Sequence, residues 1–162
     1  MIVPSHVIDA VEQGLALLPV KMKSDKALVQ LYATGLQESR FTHRRQMGSG
    51  PARGYWQFEQ GTRASRGGVW GVYLHAASKD LLAKVCSDRG VAFDPAAIYK
   101  AIENDDVLAA AVARLMYWTD PKPLPAIGDA LEAWDLYLRT WRPGKPHEAT
   151  WAECYATALD TL

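Results

Sequence analysis

The stretch SDKALVQLYATGLQESRF, residues 24–41, decides the fold class of this chain. Ser24 has the side chain of a helix N-cap. Behind it, Leu28, Leu31, Tyr32 and Leu36 recur on one stripe, which predicts a helix running through Ser39. Upstream, Val7, Val11, Leu15 and Leu18 repeat at near-helical spacing, with Ser5 as the expected cap and Pro19 as the stop. Downstream, residues 40 to 70 carry Gly and Arg with no sustained period, which predicts a structured loop with short strands or turns. A loop this long inside a compact domain is usually functional.

Helical patterns resume beyond the loop. AASKDLLAKVCSDRG is closed by Gly90, and Asp94 caps PAAIYKAIEN with Pro95 in its first turn. DDVLAAAVARLMYW stops at the Pro-rich TDPKPLP turn. In AIGDALEAWDLYLRTW, residues Leu131, Trp134, Tyr137, Leu138 and Trp141 share an apolar face, and HEATWAECYATALDTL closes the chain. The expectation is one all-α domain over 1–162, of six or seven helices.

Composition sets further bounds. A hydrophobic share of 49% with 22% charged residues fits a globular chain and excludes extended disorder. Eighteen basic residues balance eighteen acidic ones, so net charge gives no support to a nucleic-acid partner. No apolar run reaches the ~20 residues that span a bilayer, so no membrane insertion is expected. Asp9, Glu12 and Gln13 interrupt the N-terminal apolar stretch, which therefore does not read as a secretory signal. Cys86 and Cys154 are expected as buried free thiols. His6, His43, His75 and His147 show no ligand spacing, so neither a metal nor another cofactor is expected. A monomer is the expected state.

Glu38 lies four residues after Thr34 and seven after Leu31, on or beside the core-facing stripe where the helix meets the loop. A carboxylate placed there is costly when ionised, which raises its pKa and suits a general acid near neutral pH. An ordinary helix-end glutamate, solvated or paired with a nearby Arg, is the structural alternative. In the loop, Tyr55 and Trp56 can cover apolar sugar faces, and Gln57 can hydrogen-bond hydroxyl or acetamido groups. A buried aromatic turn is the alternative there. Trp56 is the best candidate for sugar stacking, whereas Trp134 and Trp141 fit the core.

GLQESRF (35–41) followed by RGYWQF (53–58) resembles the soluble lytic transglycosylase and goose-type lysozyme family, over roughly residues 31 to 65. The resemblance implies a lysozyme-like fold with Glu38 as catalytic acid and Ser39 as its companion. It implies that Gly54, Gln57 and Phe58 line the sugar cleft. The family's third motif, Tyr-Asn-Ala-Gly, finds its nearest counterpart in DLYLRTWRPG (135–144), matched only at Tyr137. Asn and Ala are replaced there, which bears on product chemistry. The compact length and the WRPGKPH ending are similar to phage-encoded cell-wall hydrolases. Such an enzyme is made in the host cytoplasm and delivered to the wall by a holin or by the virion.

The implied partner is the peptidoglycan glycan strand, cut between N-acetylmuramic acid and N-acetylglucosamine. The family commonly works with one carboxylate; Glu59 and Asp135 are the candidates for a second if water attacks. Between Arg40 and Arg66, six Arg face one acidic residue, Glu59, a local net charge of +5. This basic lobe is expected around the cleft, where Arg can bind muramic and peptide carboxylates bidentately. Two other functions remain open: a phage structural module that binds glycan without cleaving it, and a nucleic-acid binder using the Arg-rich loop with Tyr55 and Trp56.

Overall fold

The computed structural model describes residues 1–162 and is all-helical. Eight α-helices follow in order: α1 (Ser5–Ala16), α2 (Asp25–Ser39), α3 (Gly68–Leu74), α4 (Lys79–Arg89), α5 (Pro95–Ile102), α6 (Asp106–Trp118), α7 (Ala130–Trp141) and α8 (Trp151–Asp160). Two single 3₁₀ turns, Val20–Met22 and Glu148–Thr150, precede α2 and α8. No helix is long and apolar enough to cross a membrane.

Local chemistry starts and stops these helices much as the residue types dictate. Ser24 Oγ accepts from the Ala27 amide at 3.1 Å, and Asp94 accepts from Ala97 at 3.0 Å with Pro95 in the first turn. Gly90 closes α4 in the left-handed region at φ 67°. Asp105 and Asp129 cap α6 and α7 in the same way. Ser5, by contrast, is already the first residue of α1, and Pro4 occupies the cap position without a side-chain bond.

The helix count exceeds the expected six or seven because of α3, GVWGVYL, which begins inside the expected loop of residues 40 to 70 and continues through 71–74, where no element is expected. It is seven residues long, starts behind Gly67 and has no side-chain cap. Burial of Val69 and Val72 therefore holds it, and tertiary packing is a signal that periodicity over so short a run does not carry. The expected short strands are isolated bridges only, Arg45 with Arg53 and Arg53 with Phe58.

One core cluster of 39 buried residues draws on all eight helices. The central helix is α2, buried from Val29 to Leu36 nearly all round because α8, α6 and the 53–58 loop surround it. Helix α1 packs on α6, with Val7, Val11, Leu15 and Leu18 all buried. On α7 the apolar face is shorter than its pattern suggests. Leu131, in the first turn, is 74% exposed, whereas Trp134 and Tyr137 are buried. Cys86 and Cys154 are separate buried thiols, each pushed up to about 11 by burial and so disfavoured as thiolates.

Candidate functional site

The site is built where α2 breaks. Arg40 and Phe41 both take the left-handed conformation, at φ 54° and 55°, which turns the chain back sharply after Ser39. The turn lays the Phe41 ring on Gly35, where any Cβ would overlap the ring. Ser39 fixes the corner: its hydroxyl donates to the Tyr55 carbonyl at 2.6 Å and accepts from the Phe41 amide at 3.1 Å. Loop and helix end are thereby stapled together beside Glu38.

Glu38 is partly buried, and the Tyr137 hydroxyl of α7 donates to its Oε1 at 2.6 Å. Its other oxygen has no protein donor. Burial pushes the Glu38 carboxyl up to about 7; the nearby negative charge of Glu59 adds to the rise, and the Tyr137 hydrogen bond opposes it. Partial surface exposure and a strong upward shift coexist here because one oxygen faces protein and the other faces out. The same burial, with the adjacent Glu38 charge, drives the Tyr137 phenol far upward, so it acts as a donor only.

Behind this pair lies a closed polar ring. The Gln30 amide donates to the Tyr117 hydroxyl at 3.2 Å and to the Ala133 carbonyl at 3.0 Å. The Thr34 hydroxyl donates its single proton to the Gln30 carbonyl at 2.6 Å. The 2.6 Å contact between Thr34 and Tyr117 must then run from the Tyr117 O–H. This fixed ring ties α2 to α6 and α7, so the spacing between Glu38 and Tyr137 is set by buried, fully satisfied groups.

The loop residues adjoin Glu38, but most turn inward. Trp56 is 0% exposed, and its indole N–H donates to the Leu31 carbonyl at 2.9 Å, so it is a core residue that cannot stack on a sugar. Tyr55 is buried with its hydroxyl on His6 Nε2 at 3.0 Å and the Arg44 guanidinium 4.4 Å from its ring, facing α1 rather than Glu38. Phe58 is buried with its ring centroid 5.4 Å from that of Trp141. Gly54 permits a close backbone approach: at φ 74°, a Cβ would stand 2.7 Å from Ile102 Cγ2 and 2.9 Å from the Ile102 carbonyl. Direct contact with a ligand is therefore corrected to a supporting role for Ser39, Gly54, Tyr55, Trp56 and Phe58. Gln57 differs. It is 9% exposed; its amide N–H donates to the Gly54 carbonyl at 2.8 Å, while its carbonyl oxygen has no protein donor and reaches the surface.

Sequence reasoning passed over Trp141. It is half-buried one turn beyond Tyr137, and its indole N–H donates to the Trp56 carbonyl at 2.9 Å. The α7 periodicity that placed it in the core also places it beside Tyr137, and that neighbourhood was the available signal.

Half of the arginines of the basic lobe are in ion pairs, and these draw on two carboxylates. Arg44 makes a bidentate pair with Asp106, at 2.8 and 3.2 Å. Arg45 and Arg53 share Glu103, at 2.7 and 3.2 Å. Arg63 lies 4.8 Å over the Trp70 ring. Arg44, Arg45 and Arg53 thus fasten the loop to the end of α5 and the start of α6, while Arg40, Arg63 and Arg66 have no carboxylate partner. Of the candidate second carboxylates, Glu59 is exposed and close enough to act on Glu38 through its charge, whereas Asp135 is exposed and acts on Arg139.

Glu38 lines none of the three principal pockets. The nearest along α7 has a volume of about 270 Å³ and is walled by Arg66, His75, Asp120, Arg139, Thr140 and Arg142. Its α7 wall begins at Arg139, two residues, or about 3 Å of helix rise, beyond Tyr137. Asp120 there is neutralised by a bidentate Arg139, at 2.8 and 3.0 Å, which leaves Arg66 and Arg142 unpaired.

No protein-family model matches the chain, and neither a curated protein nor a solved structure matches it.

Proposed function

We propose that this protein cleaves peptidoglycan glycan strands at the β-1,4 bond between N-acetylmuramic acid and N-acetylglucosamine, as a lytic transglycosylase or muramidase of the phage endolysin or virion-associated kind. The observation that carries the proposal is the Glu38–Tyr137 pair: a shielded carboxyl raised to about 7, oriented by a phenol at 2.6 Å, with one oxygen free toward the surface. Such a group holds a proton near neutrality and can deliver it to a leaving oxygen.

In the proposed reaction the Glu38 carboxyl protonates the glycosidic oxygen as the C1–O bond breaks. The muramoyl C6 hydroxyl attacks C1 and returns its proton to the Glu38 carboxylate, which gives a 1,6-anhydro end. Attack by water through the same carboxylate gives the hydrolytic product, one water heavier. Tyr137 stabilises the carboxylate formed between the two steps. Gln57 offers its outward carbonyl, and Trp141 its half-buried indole, to the sugar. The pocket holding Arg66 and Arg142 suits the lactyl or stem-peptide carboxylates of the same strand. Delivery to the wall falls to a holin lesion or to the virion.

A turbidity assay on chloroform-treated Gram-negative cells tests this. Lysis by the wild type that is lost in Glu38→Gln supports it. Equal lysis by both defeats the role of Glu38, and binding to sacculi without lysis by either favours a non-cleaving glycan-binding module.

A further inference from the structure

On the other side of the Pro121 turn lies a larger pocket, of about 610 Å³. Its floor holds a charge with no carboxylate partner. Arg114 of α6 is 4% exposed and has no carboxylate partner. Its Nε donates to the Met22 carbonyl at 2.8 Å. No buried polar atom of the protein lacks a partner, so the remaining guanidinium nitrogens open into the pocket. Burial lowers the Arg114 pKa, to about 10, as expected for a mostly enclosed cation with no carboxylate beside it.

Three more cations, Lys21, Lys26 and Lys122, stand around the mouth, all exposed and none in a salt bridge. The one acidic residue lining the pocket, Asp120, is already engaged by Arg139. Trp118 supplies a half-buried aromatic wall; the Arg114 guanidinium lies 5.5 Å and Lys21 Nζ 5.4 Å from its ring centroid. A single carboxylate would leave most of this charge unmet. A phosphate carries about −1.5 to −2 and three acceptor oxygens, and a diphosphate meets the excess more fully. The volume exceeds what a bare ion needs.

We propose that this pocket is a binding site for a phosphorylated small molecule, its diphosphate group on Arg114 and the three lysines and a planar or apolar portion against Trp118. The site is separate from Glu38 and does not depend on the wall-cleaving proposal.

Isothermal titration of the full chain with inorganic pyrophosphate, ADP and citrate tests it. Pyrophosphate is expected to bind with a Kd tighter than about 1 mM, ADP more tightly still, and citrate more weakly than pyrophosphate. The double variant Lys21→Gln/Lys122→Gln, confined to exposed side chains, is expected to keep the wild-type melting temperature and to lose about tenfold or more in pyrophosphate affinity. Arg114→Lys keeps the charge but loses the planar fork and is expected to weaken binding likewise. No heat from pyrophosphate, equal binding of citrate, or an unchanged affinity in the double lysine variant would overturn the proposal.

Discussion

Replacing Glu38 by Gln should stabilise the fold, and should do so only above about pH 4.5. The carboxyl is held at about 7 rather than its ordinary 4.5, chiefly by burial. At about 1.4 kcal/mol per pH unit, ionising it in the folded protein costs about 3 kcal/mol, and partial exposure trims this to about 2–3 kcal/mol. The direction follows from which state binds the proton. Below pH 4.5 the group is protonated folded and unfolded, and no penalty exists. Between 4.5 and 7 the folded state keeps its proton while the unfolded state has lost it, so wild-type stability falls as pH rises, and above 7 the full penalty stands. Gln has the same shape, can accept the Tyr137 hydrogen bond and never ionises. Melts of both proteins from pH 4 to 8.5 should therefore coincide at the acid end and diverge by roughly 4–12 °C at the alkaline end, with the variant higher. A constant difference across that range would refute a buried, proton-holding Glu38.

Tyr137→Phe removes the bond that favours the charged carboxylate, so the alkaline limb of the pH–rate profile should move to higher pH, with a reduced maximum. Glu59→Gln removes a like charge and should move the same limb to lower pH, while leaving the maximum within a few-fold. Gly35→Ala drives a methyl into the Phe41 ring and should cost about 1–3 kcal/mol in urea unfolding, with activity falling alongside. Trp56→Phe removes the second donor on the Leu31 carbonyl, which keeps its α2 ladder bond, and leaves a void behind the smaller ring; it should cost about 1–3 kcal/mol while KM stays unchanged, since Trp56 does not face the ligand.

The sequence spoke most clearly where a local rule suffices. Ser24, Gly90 and Asp94 with Pro95 act on residues within one turn of themselves, and each does in the structure what its side chain predicts. Glu38 was legible from the spacing of α2, because a residue four beyond a buried Thr34 shares its face. Tyr137 was singled out only through motif resemblance, as a substrate contact; its hydrogen bond to Glu38, 99 residues away, was not legible. The direction in which each loop side chain points was not legible. Trp56 turns inward because Leu31 offers it a carbonyl, and Tyr55 turns toward α1 because His6 and Arg44 receive it. The pairing of Arg44, Arg45 and Arg53 was not legible because their partners, Glu103 and Asp106, lie some 50 to 62 residues downstream. Short α3 was missed for the same reason: tertiary burial of two valines, not a cap or a period, makes it a helix.

The most direct test is mass spectrometry of purified sacculi digested with the wild type and with Glu38→Gln. An acid at position 38 requires soluble disaccharide-peptides from the wild type, ending in anhydro or reducing muramic acid, and none from the variant. Intact sacculi after wild-type treatment, or the same fragments from both proteins, would contradict it.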